Sequence, residues 1–246
     1  HDMFHSSDSI CGELMALSKA ISGGPVYLSD APDKIVLGNV MPLCFSDGKL
    51  LRPLAPGTTL PKSYYTSPLD VPELFFVAAP LKNDAVSIVA YNLYDKPVTL
   101  ESTINTNDYK DASAIIQGMD KKWKVPVEGL LAFNYFEQTG TVLKDEIPVK
   151  VKDFNHCYYQ LSPIHNGWSV IGATQKYLCS EAIENIRYAP EILTFDLIEG
   201  GEFAIYLAEG KPVAGNIAFV SLGNGLWKGE VDQVKYGQRV KINIRK

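Results

Sequence analysis

The densest grouping of reactive side chains in this sequence is at its start, His1-Asp2-Met3-Phe4-His5-Ser6-Ser7. Asp2 can accept hydrogen bonds from a ligand, or it can cap local backbone N–H groups. Met3 can offer an apolar wall or fill a gap in a core. His5 suits a hydrogen bond within its own loop. The other groupings have simpler readings. His156-Cys157 with His165 supplies the residue types of a Cys–His nucleophile, but Cys157 stands in an apolar run, where thiols are usually inert. Tyr64-Tyr65, Trp123 and Trp227 could stack on a flat ligand ring, and core packing accounts for them equally well. Glu199-Gly200-Gly201-Glu202 reads as a tight turn with solvated charges, not a calcium loop. Cys11, Cys44, Cys157 and Cys179 lack CxxC spacing and any zinc pattern, and read as free thiols.

The elements around the first grouping are a strand end, a helix and a second strand. Ile10, Leu14, Leu17 and Ile21 recur at helical spacing, so residues 9–22 are expected to form one amphipathic helix. Ser7 and Asp8 can cap its start, and Gly23-Gly24 can stop it. Pro25-Val26-Tyr27-Leu28 is then expected as a short buried strand. Asp30 suits a turn or a cap beside Pro32. A weaker helical pattern spans 35–40. Residues 53–72 hold five prolines and Gly57, a stiff composition that suggests a domain boundary.

Beyond Pro72 the pattern is that of short strands. Apolar, β-rich runs recur at 74–79, 86–91, 98–104, 129–135, 147–151, 157–161, 168–171, 192–197 and 203–207. Val240, Ile242 and Ile244 alternate with Lys241, Asn243 and Arg245, a period of two that buries one face only. Gly223-Asn224-Gly225 is a hairpin signal, and 108–117 can form one helical insertion. The expected fold is therefore an α/β portion at 1–60 followed by an antiparallel β-sandwich at 61–246.

Composition narrows the function. The 246 residues are 46% hydrophobic and 21% charged, as in ordinary globular proteins. A net charge of −5 and the lack of a basic run point away from nucleic acid and from anionic membrane surfaces. No apolar stretch approaches the roughly 20 residues that span a bilayer.

Two motifs carry a specific resemblance. Asp2-Met3-Phe4-His5-Ser6, followed by Lys19-Ala-Ile-Ser-Gly-Gly-Pro-Val-Tyr-Leu-Ser-Asp30, resembles the family 36 glycoside hydrolases on their raffinose-synthase and alkaline α-galactosidase branch. Leu51-Arg52-Pro53-Leu54-Ala55-Pro56-Gly57 resembles a further stretch of that family. So do 133–142, 149–163 and Val170-Ile171-Gly172-Ala173, where the family's usual proline is absent.

The resemblance implies that residues 1–60 are the end of a catalytic (β/α)8 barrel, with Asp2 and Met3 at the C-terminal end of its seventh strand. Such barrels place their chemistry there. It implies that Asp2 accepts hydrogen bonds from galactose hydroxyls and that Met3 lines the same pocket. Retaining hydrolysis needs two carboxyl groups about 5 Å apart. In the resembled family both precede this segment, so neither catalytic role is given to a residue here. The implied activity is cleavage of terminal α-linked galactose, as in raffinose-type sugars, or its transfer through the same covalent intermediate. No metal or organic cofactor is implied. The implied partners are a galactoside and the N-terminal portion of the same enzyme, without which an apolar face and an open strand edge are left bare. The alternative is a non-catalytic carbohydrate-binding or structural β-sandwich with an N-terminal helical extension, which would be soluble by itself and bind sugar through exposed aromatics.

Overall fold

Two adjacent strands set the architecture. The computed structural model describes residues 3–117, 122–235 and 237–246. In it β2 (Phe75–Pro80) and β3 (Val86–Asn92) pair antiparallel, and β3 is buried along its whole length. Val86, Ile88 and Ala90 enter one core, while Val89 and Tyr91 enter another on the opposite face. An antiparallel strand reads as continuously apolar only when both faces of its sheet are covered, which is the case here.

The sheet holding them runs in the order β1-β2-β3-β8-β5-β6. Its other strands are β1 (Thr58–Thr59), β8 (Asn155–Pro163), β5 (Leu130–Asn134) and β6 (Thr139–Leu143). One face is covered by the pair β4 (Thr99–Asn105) and β7 (Glu146–Lys152), together with helix α3 (Thr106–Gln117). Helix α1 (Gly12–Ser22) covers the other face through Ala16, Leu17, Ala20 and Ile21, joined by Leu43, Phe45 and Leu51. The helix stops where expected. Gly23 adopts φ 63°, and its N–H bonds the carbonyl of Ala20.

The start of α1 differs from the sequence expectation. Asp8 Oδ1 accepts the N–H groups of Ile10 and Cys11, each at 2.8 Å, and this makes a turn ahead of the helix. The helix begins at Gly12, whose missing side chain lets it lie against the carbonyl of Ser6. Ile10 is therefore exposed instead of packed. The proline-rich stretch 53–72 is tied to its surroundings. Leu54 N–H bonds Pro80 O, Gly57 N–H bonds Ile21 O, and Leu60 N–H bonds Phe76 O. A short helix, α2 (Leu37–Val40), precedes it.

A second pair of sheets follows. One runs β13-β14-β12-β9 and the other β10-β11-β15. Their strands are β9 (Trp168–Ala173), β10 (Ile183–Tyr188), β11 (Ile192–Leu197), β12 (Gly201–Leu207), β13 (Val220–Gly223), β14 (Leu226–Val231) and β15 (Val240–Arg245). Trp168, Phe195, Phe203, Ile242 and Ile244 fill the core between them. A smaller apolar cluster of Leu131, Phe133, Ile171, Ala204 and Leu226 joins this pair to the six-stranded sheet. The β-rich region is thus antiparallel and sandwich-like, as expected, with its sheets layered in two places. Among the described residues no helix is long and apolar enough to cross a membrane.

Candidate functional site

The N-terminal grouping precedes helix α1, and a single parallel bridge joins the segments on the two sides of that helix. Phe4 and Leu28 form a parallel bridge: Phe4 N–H donates to Tyr27 O at 2.9 Å, and Ser29 N–H donates to Phe4 O at 3.1 Å. Helix α1 is the connection between them. Phe4 is fully buried against α1. Met3, its neighbour on the strand, is 61% exposed, as the alternation of an extended chain requires. Asp2 and His1 lie outside the described residues. His5 is exposed beside the hydroxyl of Ser29, at 3.3 Å from its Nε2.

The expected buried strand at 25–28 is not buried. Tyr27 is 54% exposed, and Leu28 and Val26 are only partly covered. Only Leu28 takes part in strand pairing there.

Asp30 holds the loop after Phe4 in place. Its carboxylate accepts Ser6 N–H at 2.7 Å, Ser7 N–H at 3.0 Å and the Ser7 hydroxyl at 2.6 Å. The Ser7 hydroxyl and these amides hold the acid well below the usual carboxylate range. Ser6 continues the network. Its Oγ accepts Val36 N–H, and its carbonyl accepts Asn39 Nδ2. Asp30 therefore has the turn role, and Ser7 bonds Asp30 instead of capping α1.

A cleft opens beside this loop. Residues 6–10, Glu13 and Asn39 form one wall, and Phe154, Asn155 and His156 form the other. The His156 side chain is 4% exposed, and neither of its ring nitrogens makes a hydrogen bond. Burial lowers its pKa to about 4, so the ring is neutral near pH 7. Glu13 Oε1 lies 3.8 Å from Nε2, and burial raises the acid's pKa. The sequence reading missed this grouping because its two walls are about 140 residues apart. A visible signal was the polar-flanked aromatic of Asp153-Phe154-Asn155.

The remaining candidates resolve into structural roles. Cys157 is pushed up to about 12 by burial, which removes it as a nucleophile. His165 packs on Tyr188 with ring centres 5.1 Å apart. Trp123 packs on Tyr109 at 5.8 Å, and Trp227 is partly buried against the core between the last two sheets. Tyr64 and Tyr65 are exposed side by side. All four cysteines are free. Glu199 overturns the solvated-turn reading: it is 6% exposed, with Ser46 and Lys176 as partners. Among the described residues no cluster of three His, Cys, Asp or Glu side chains could hold a metal ion.

These features define a helical N-terminal segment, closed by one parallel bridge, on a large antiparallel β region. The family model for raffinose synthase or seed imbibition protein Sip1 matches residues 1–220, and the chain belongs to that family. It is 45% identical over 56 residues to "Probable galactinol--sucrose galactosyltransferase 6" of Arabidopsis thaliana, a match covering 23% of this chain and 7% of that protein. Among solved structures, α-galactosidase I from Mortierella vinacea is similar at 10% identity and a TM-score of 0.41, covering 65% of this chain and 38% of that one. Isomalto-dextranase from Arthrobacter globiformis T6 is similar at 11% identity and a TM-score of 0.39, covering 97% and 45%. The chain thus spans less than half the length of each of these proteins.

Proposed function

We propose that this chain is the C-terminal part of a retaining, galactosyl-handling glycoside hydrolase or galactosyltransferase. The observation that carries the reading is the family match over residues 1–220. In this reading, residues 1–60 end a (β/α)8 barrel and 61–246 form its β domain. The parallel Phe4–Leu28 bridge around α1 supports it, because strand–helix–strand with parallel strands is the repeat of such barrels. The exposure of Tyr27 and Leu28 also fits a segment that other barrel strands would pack against.

Asp2 is assigned to galactose hydroxyls and Met3 to the apolar wall beside them. The nucleophile and the acid/base are assigned to barrel strands preceding His1. The reaction then runs through a covalent galactosyl-enzyme, released by water in hydrolysis or by an acceptor sugar in transfer.

The test is the intact mass of the natively expressed polypeptide with every co-purifying chain, followed by turnover of α-galactosides. Asp2→Ala should lower kcat/KM by about 10- to 100-fold, the worth of one hydrogen bond to a charged group, with the melting temperature unchanged. Unchanged turnover removes Asp2 from the site. A 27.1 kDa chain that is soluble, folded and inactive by itself favours the sugar-binding module instead.

A further inference from the structure

Asparagine is chemically labile, most of all before glycine, where no Cβ shields the backbone nitrogen that can attack its side-chain amide. The sequence holds two such steps, Asn166-Gly167 and Asn224-Gly225. Each is the centre of a two-residue turn. His165 and Trp168 exchange backbone hydrogen bonds across the first, and Gly223 pairs with Leu226 across the second. Positive φ angles occur at every central position, 54° and 75° in the first turn and 50° and 76° in the second. Both asparagines are exposed. Local sequence and backbone therefore do not separate the two steps, but their surroundings do.

At the first turn Glu128 intervenes. Its carboxylate accepts Asn166 N–H at 2.9 Å and Gly167 N–H at 2.6 Å. Attack requires the Gly167 nitrogen to lose its proton, and an anion bonded to that N–H opposes a second negative charge beside it. Asn166 Nδ2 also donates to Tyr188 O at 3.3 Å, which restrains the amide under attack.

The second turn lacks these restraints. Among the described residues the Gly225 N–H has no acceptor, and Asn224 Nδ2 reaches only the carbonyl of Gly140, at 3.5 Å. The turn also lies where opening costs little. It joins β13 to β14, and β13 is a four-residue edge strand with Val220, Ser221 and Gly223 exposed. The Asn166 turn instead follows β8, which lies between β3 and β5 in its sheet.

We propose that Asn224 is a modification site, at which the chain slowly converts itself to aspartyl and isoaspartyl forms, while Glu128 guards Asn166. The Gly225 nitrogen gives its proton to solvent and bonds Asn224 Cγ. The Cγ–Nδ2 bond breaks, releasing ammonia once Nδ2 has taken a proton from solvent. Water then opens the cyclic imide at one of its two carbonyls, giving aspartate or isoaspartate. This chemistry is independent of the galactosyl-handling reading. Its product bears on the fold because Leu226, two residues on, is fully buried in the cluster that joins the second pair of sheets to the six-stranded sheet. The isoaspartyl form adds one carbon to the backbone just before this anchor.

The experiment incubates the natively expressed polypeptide in water labelled with heavy oxygen and maps its peptides by mass. Label should accumulate at Asn224, and a methyltransferase specific for isoaspartate should modify the same peptide. Asn166 should react about tenfold more slowly, the worth of one hydrogen bond to a charged group. Glu128→Ala should raise the Asn166 rate about tenfold and leave Asn224 as it is. Glu128→Gln, which keeps an acceptor without the charge, should fall between. In denaturant the two sites should react at similar rates, since the dipeptide is the same. No label at Asn224, label at Asn166 as fast as at Asn224 in the folded parent, or no effect of either Glu128 variant overturns the proposal. So does an Asn166 that stays unreactive in the unfolded chain, which would place its protection in local sequence and not in Glu128.

Discussion

Ser46 and Glu199 are 153 residues apart in sequence, yet one carboxylate oxygen of Glu199 accepts both the Ser46 N–H at 2.9 Å and its hydroxyl at 2.7 Å. The other oxygen lies 3.4 Å from Lys176 Nζ, whose ammonium also reaches the carbonyls of Met41 and Cys44. This network fastens the segment after α2 to the second pair of sheets. Glu199→Ala removes the counter-charge of a mostly buried ammonium and both acceptors of Ser46, and should cost about 3–5 kcal/mol. Glu199→Gln keeps one acceptor and should cost less. Urea unfolding with an unchanged slope checks the ranking.

Gly172 cannot become alanine without moving backbone. A Cβ there would sit 2.1 Å from the carbonyl oxygen of Cys179, at φ +107°. Gly172→Ala should therefore destabilise by about 1–3 kcal/mol from overlap, with the strain of that φ added. Thermal unfolding of the variant checks it, and a shift smaller than 2 °C or so would contradict the packing at this position.

His156 makes stability depend on pH. Its pKa falls from 6.5 to about 4 on folding because burial penalises the charged ring. Between those values the unfolded chain binds more protons, so stability rises with pH across that window and is lost as pH falls toward 4. Glu13, which faces His156 from α1, shifts upward and acts in the opposite direction. The net effect of His156 is on the order of 2–3 kcal/mol. His156→Gln should flatten the difference in unfolding free energy between pH 4 and pH 6.5, measured against the parent.

Asp30 controls the order of the loop between Phe4 and α1. Asp30→Ala removes the acceptor of three hydrogen bonds from Ser6 and Ser7. Amide exchange at residues 6–8 should speed up while exchange in β3 stays as it is. Equal exchange rates in parent and variant would show that Ser6 holds the loop through Val36 and Asn39 alone.

Much of the antiparallel β region was legible in the sequence. The ten apolar runs coincide with strands, and 108–117 falls within α3. β1, β6, β10, β13 and β14 fall outside those runs. β10 has the burial pattern of a half-covered strand, but its polar Glu184, Asn185 and Arg187 hide the alternation in the sequence. Of the N-terminal grouping, the helix that follows it and its glycine stop were legible. The His156 cleft was invisible because its walls come from the loop leading into α1 and from the start of β8.

The sequence by itself determined the features that depend on neighbours a few residues away. Gly23 ends α1, Asn224-Gly225 turns β13 into β14 with positive φ at both residues, and Ile242 and Ile244 point inward from β15 while Lys241 and Asn243 point outward. These outcomes follow from local sterics and a period of two. Tertiary structure alone decided the rest: that Glu199 is buried, that Tyr27 and Leu28 are not, and that His156 faces Glu13. Burial is a property of what packs on a residue, and that comes from segments far away in the chain.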